Sequence, residues 1–218
     1  MKYSRFPLKT LLLSSVLFIP VIVNAKVTEF ELENGLKLLI KEDHRAPIVV
    51  TQVWYKVGGS YEHDGITGIS HALEHMMFKG TEKFPDGEFS RIISKNGGSD
   101  NAFTGPDYTA YFQTLEKSRL EISFKLEADR MRYLTLPKKE FIKEIEVVKE
   151  ERRWRTEDKP QSYAYEVAMA TAFQTSPYRY PVVGWMQDLD NMTIEDLSDW
   201  YQKWYAPNNA TLVIAGDV

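Results

Sequence analysis

Hydrophobic and polar positions alternate between two rhythms along the chain. Residues 48–57 read Ile-Val-Val-Thr-Gln-Val-Trp-Tyr-Lys-Val before Gly58-Gly59. So dense a β-branched and aromatic run predicts a central strand. Segments 27–32 and 36–42, around the turn Glu33-Asn34-Gly35, predict a hairpin. Segments 99–104 and 108–115, around Gly105-Pro106-Asp107, predict another, and 210–215 predicts a closing strand. Between these the period lengthens to that of a helix. Helices are expected at 67–79, closed by Gly80, and at 87–95, stopped by Asn96-Gly97-Gly98. A third, 118–133, places Leu120, Phe124, Ala128 and Met131 on one face. A fourth begins after Leu136-Pro137 and reaches about Arg155, and two more lie near 160–173 and 193–204. Hairpins mixed with helices, without a Gly-rich phosphate loop, predict an α+β fold: a largely antiparallel sheet with helices packed on it.

The first residues follow another pattern. Lys2, Arg5 and Lys9 precede the apolar run Leu11 to Val23, and Val23-Asn24-Ala25 offers small residues for cleavage. This predicts a signal peptide over 1–25, an exported mature chain from 26 to 218, and a periplasmic or secreted location. No later stretch is long and apolar enough to span a bilayer.

Of the 218 residues, 43% are hydrophobic, enough for one sizeable core. The formal charge is −4, and three of the basic residues lie within 1–25, so the remainder is more acidic still. An acidic chain without a basic run is a poor nucleic-acid binder. Cysteine is absent, which excludes disulfides, thiolate metal ligands and thiol nucleophiles.

Against that background one segment carries chemistry: His71-Ala72-Leu73-Glu74-His75. Histidines four apart share a helix face and can bind one zinc ion, and a glutamate between them can take a proton from water. With His71 at zero on a helical wheel, Glu74 falls at about 300°, His75 at about 40° and Phe78 at about 340°. Ile69, Ala72, Leu73 and Met76 fall between about 100° and 200°. The polar triad is therefore expected to face away from the main apolar stripe.

Catalytic zinc takes three protein ligands and leaves one position open. His44 and His63 sit in polar, loop-like sequence and read as solvated. The acidic helix 140–155 is the better source of a third ligand. With Phe141 at zero, Glu144 falls at about 300° and Glu151 at about 280°, bordering the apolar face of Phe141, Ile145 and Val148. Glu150 and Glu146 are turned away. Helical geometry leaves Glu144 and Glu151 as alternatives. Asn101-Ala102-Phe103-Thr104 lies in an expected strand, and an exposed strand edge can pair with an extended peptide.

These segments together resemble the inverzincin peptidases, the family of pitrilysin, insulin-degrading enzyme and the mitochondrial processing peptidase. The likeness is greatest to processing-peptidase-like bacterial zinc proteases. It rests on Gly59-Ser60-Tyr61-Glu62, on 68–81 around the His-Glu-His motif, on 101–104 with Thr109 and Tyr111, on Val147-Val148-Lys149-Glu150-Glu151, and on 205–212 with Gly216-Asp217. The resemblance implies the N-terminal domain fold of that family. It implies one zinc ion held by His71, His75 and Glu151, with Glu74 as general base and Glu144 as a supporting acid. Asn101 and Ala102 match the edge strand that holds the substrate main chain. A zinc endopeptidase acting on peptides or unfolded protein is thus expected.

Family subunits are about twice this length, and a second domain or partner subunit closes the site. The chain is accordingly expected to be an N-terminal half that binds zinc but cleaves poorly by itself. The alternative is a non-catalytic partner subunit or peptide-binding module of the same fold. The fold-related lyase acting on ribosylhomocysteine needs a cysteine ligand that this chain lacks.

Overall fold

Alternation along β3 (Ile48–Tyr55) sets the plan of the fold. Val49, Thr51, Val53 and Tyr55 are buried, while the residues between them stay partly exposed. One face of the strand therefore meets the helices and the other is less covered. The structure, a computed structural model, describes residues 27–218; the expected signal peptide lies outside them.

β3 pairs antiparallel with β5 (Thr109–Glu116) on one side and β6 (Ala210–Gly216) on the other. β1 (Val27–Glu31) and β2 (Lys37–Glu42) form the first expected hairpin, and β4 (Ser99–Thr104) with β5 forms the second. The sheet order is β1-β2-β6-β3-β5-β4. Among the described strands only β2 and β6 pair in parallel, so the sheet is largely antiparallel. β4 ends the sheet, and among the described residues its outer side has no strand partner.

The described residues form seven α-helices, six of them at expected positions: α1 (Ile69–Met76), α2 (Glu88–Lys95), α3 (Leu120–Tyr133), α4 (Lys138–Arg152), α5 (Pro160–Ala172), α6 (Met186–Asn191) and α7 (Ile194–Trp204). α6 was not expected, because six residues are too few to show a helical period. α7 begins at a reciprocal cap between Thr193 and Asp196. The core joins Val53, Tyr55 and Tyr111 of the sheet to Leu73 and Met76 of α1, Ile145 and Val148 of α4, and Leu197 and Trp200 of α7. A smaller cluster holds Phe89, Ile93, Leu115 and Leu126.

Two helices depart from expectation. α3 buries Ser123, Leu126, Glu127, Asp129 and Arg130 rather than Leu120, Phe124, Ala128 and Met131. Its polar face can be buried because most of its groups are paired, one Arg130 nitrogen excepted. Arg130 bonds Glu127, Glu127 accepts from Gln113, and Gln113 accepts from Ser123 and Thr51. Phe124, Ala128 and Met131 instead line a cavity of about 740 Å³ with Tyr201, Tyr205 and Leu212. α4, expected to reach Arg155, ends at Arg152 and continues as a π-helical turn, Arg153–Glu157. The wider turn is closed by Asp158 N donating to Arg153 O at 2.8 Å.

Candidate metal centre

The site begins with the seating of α1. Its N-cap, Gly68, has φ +85°, a left-handed conformation natural to glycine. The first N–H groups of the helix need acceptors. Glu62 supplies them, accepting from Gly68 N at 2.7 Å and Ser70 N at 2.9 Å. Burial pushes the Glu62 carboxyl up to about 7, even though these two hydrogen bonds favour its charged form.

The wheel had the histidines facing away from the core. They do lie off the stripe of Ile69, Ala72, Leu73 and Met76, yet His71 is only 8% exposed. Glu74 and His75 are half-buried. The histidine face of α1 is covered by α4, whose Glu151 and Glu144 reach His71 and His75. Burial lowers the His71 pKa to about 3, with smaller contributions from His75 and Arg155, so its imidazole is neutral and free to donate a lone pair.

α4 crosses this face antiparallel to α1. Glu144 meets His75 near the end of α1, and Glu151 meets His71 one turn earlier. His75 Nδ1 lies 3.1 Å from Glu144 Oε2, which leaves Nε2 available. Glu144 also accepts from Lys79 Nζ at 2.7 Å. Burial pushes the Glu144 carboxyl up, but the hydrogen bonds from Lys79 and His75 outweigh it and hold the pKa below its usual value. Glu151 Oε2 stands 3.6 Å from His71 Nε2. Arg155 NH1 lies 3.2 Å from the same oxygen, in the π turn that follows α4.

Ligand atoms of His71, His75 and Glu151 lie within 4.8 Å of one another. Glu151 Oε2 is buried and makes no hydrogen bond, and its one charged partner besides His71 is Arg155, so it keeps lone pairs for a metal. Two neutral-capable imidazoles and one carboxylate are a donor set that suits zinc. Of the two acids left open by the wheel, Glu151 is the one placed with both histidines, and Glu144 is bound to the back of His75. Glu150 is exposed and paired with Arg153. His63 is exposed in a loop. His44 is exposed too, but it is paired with Asp217 at 2.5 Å rather than merely solvated.

Glu74 lies beside the three donors and accepts a short hydrogen bond from Thr104 Oγ1 of β4. Burial raises its pKa, and the Thr104 hydroxyl opposes that rise. His71, Glu74, His75, Glu144 and Glu151 line one cavity of about 660 Å³, and the β4 segment 101–104 forms one side of it. β4 therefore presents its unpaired edge beside the metal donors. Ala102 N donates to the Asn101 side chain at 2.8 Å, so that N–H points away from β5. Val182 and Val183 form another wall of the cavity. Sequence reasoning assigned no role to Thr104, Lys79, Arg155 or these valines. A hydroxyl three positions beyond Asn101 on the same strand was the available signal for Thr104.

Residues 37–184 match the family model described as insulinase, peptidase family M16, and residues 191–218 match one described as the peptidase M16 inactive domain. The zinc protease PqqE of Helicobacter pylori is 36% identical over 98% of this chain and 50% of its own length. The crystal structure of a protease from Helicobacter pylori superposes with a TM-score of 0.86 at 37% identity, covering 89% of this chain and 47% of that one. The first half of the periplasmic protease PqqL from Escherichia coli superposes at 0.80 with 26% identity, covering 88% and 43%. The chain thus spans about half the length of these relatives. Its fold is that of the N-terminal domains of M16 peptidases, and the chain belongs to the insulinase family, peptidase family M16.

Proposed function

We propose that the chain is the metal-binding half of a zinc endopeptidase, with zinc held by His71, His75 and Glu151. The observation that carries this reading is the convergence of those three donors beside the half-buried Glu74. Zinc bound there would supply Lewis acidity, acidifying water and polarising a peptide carbonyl. Glu74 takes the proton of the attacking water and delivers it to the leaving amine. A carboxyl with a raised pKa is suited to both steps, and the Thr104 hydroxyl aims it. Glu144 orients His75 through Nδ1, as carboxylates commonly do for histidine ligands.

The substrate is a peptide or an unfolded protein segment. It lies extended along β4, paired with main-chain groups near Asn101 and Ala102. The Asn101 side chain must release the Ala102 N–H for that pairing. A C-terminal half or second subunit completes the chamber, in keeping with the half-length coverage of the relatives. Export after removal of residues 1–25 accords with the periplasmic description of the Escherichia coli relative. No helix among the described residues is long and apolar enough to cross a membrane.

The second reading is a non-catalytic partner or peptide-binding module, and it draws on the match of residues 191–218 to the inactive-domain model. Cleavage of a fluorogenic peptide set separates the two readings. The zinc-loaded protein is assayed alone and with a C-terminal half, as wild type and as Glu74→Gln. Cleavage that requires Glu74 supports the peptidase. Equal signals from both proteins, with zinc bound in both, support the partner reading.

A further inference from the structure

Arg152 directly follows the proposed ligand Glu151, yet its side chain turns the other way, into the protein. It is 5% exposed, and a buried cation must find partners. NH1 donates to Glu166 Oε2 and to the Gly184 carbonyl, both at 2.9 Å, and NH2 donates to Glu166 Oε1 at 2.9 Å. The guanidinium carbon stands 5.5 Å from the Trp185 ring. Glu166 is the one buried residue of α5, so this otherwise exposed helix is anchored through its carboxylate.

The Gly184 contact leads back to α1. Gly184 has φ +88°, and a Cβ there would lie 2.4 Å from Thr67 O and 2.8 Å from Gly68 Cα. A Cβ on Gly68 would lie 2.5 Å from Val183 O. The 183–184 backbone therefore rests directly on the N-cap of α1, three residues before His71. Trp185 N donates to Thr67 Oγ1 at 2.9 Å, and Asp188 accepts from Thr67 as well, which locks the same junction. Contacts thus run continuously from Glu151 through Arg152, Gly184 and Gly68 to His71.

We propose that Arg152 is a positioning residue of the metal centre, a bracket that sets the separation between the helix carrying Glu151 and the helix carrying His71 and His75. The inference rests on the metal-centre reading. A buried ion pair adds little net stability over an apolar replacement, but a two-pronged guanidinium–carboxylate pair fixes geometry. Fixed geometry is what zinc requires, because ligand distances tolerate only a few tenths of an ångström. α4 is already tied to α1 at its other end through Glu144, Lys79 and His75. Arg152 holds the end that bears Glu151. It also fixes the 182–183 segment that walls the cavity.

The test compares Arg152→Lys, which keeps the charge but loses the fork, with Glu166→Gln, which keeps the shape. Leu126→Ala, in the separate cluster around Phe89 and Ile93, is a control for lost stability. Zinc dissociation constants come from chelator competition, and the visible spectrum of the cobalt-substituted protein reports ligand geometry. Arg152→Lys and Glu166→Gln are expected to weaken zinc binding by roughly tenfold or more and to alter the cobalt spectrum. Leu126→Ala is expected to lower Tm while leaving both readouts unchanged. The bracket is overturned if the two variants lose stability as the control does but bind zinc with the wild-type constant and spectrum. A wild-type chain that binds no zinc removes the metal centre itself, a separate failure.

Discussion

Glu151 Oε2 lies 3.6 Å from His71 Nε2, too far for a hydrogen bond, and pairs on its other side with Arg155 at 3.2 Å. With His75, the two atoms converge within 4.8 Å, which is the geometry of the proposed metal site. Removing either side should therefore abolish the site. His71→Ala and Glu151→Ala are each expected to lose stoichiometric zinc, measured by elemental analysis after dialysis. Glu144→Gln should still bind zinc, but roughly 10- to 100-fold more weakly, because it only orients His75. Full zinc content in Glu151→Ala would show that the ligand set is wrong.

Glu74 touches the cavity but is not among the three clustered donors. Glu74→Gln should keep zinc and lose peptide cleavage by roughly 10²- to 10⁴-fold, the usual worth of a general base. Thr104→Val removes the hydrogen bond to Glu74 and should reduce kcat more than it changes KM. The two variants need to be assayed with zinc content measured in parallel.

The free edge of β4 is a separate matter from the metal. Ala102→Pro deletes the N–H that points away from β5, so a substrate strand loses a partner while the β4–β5 pairing keeps its own bonds. Weaker binding of an extended peptide to the zinc-loaded Glu74→Gln background is expected, with zinc content unchanged. Calorimetric titration would measure it, and wild-type affinity would rule out the edge as the docking strand.

Two buried groups give stability opposite pH dependences. Glu62 titrates near 7 in the fold against 4.5 when unfolded, so the folded state holds the extra proton between those values. Its contribution is greatest below pH 4.5 and is lost as pH rises through 7, on the order of 3 kcal/mol in all. His71 is the reverse, at about 3 in the fold against 6.5 unfolded, so its contribution is full above 6.5 and is lost as pH falls toward 3. Urea unfolding of the zinc-free protein should show wild type losing stability relative to Glu62→Gln from pH 4.5 to 7. Parallel curves for the two proteins across that range would contradict the Glu62 assignment.

The sequence by itself determined the strands, most of the helices and the candidates for the reactive groups. Local periodicity specifies β3 and α4, and the spacing of His71, Glu74 and His75 is a property of a single helix. The helical wheel offered Glu144 and Glu151 as alternatives, and the family resemblance implied separate roles for them. Only the tertiary structure decided what covers each face. His71 is buried because α4 crosses α1, α3 hides its polar side because Gln113 and Arg130 satisfy Glu127, and Arg152 reaches Gly184 across the fold. Those outcomes depend on partners distant in sequence, where hydrogen bonding and close packing between elements outweigh local pattern.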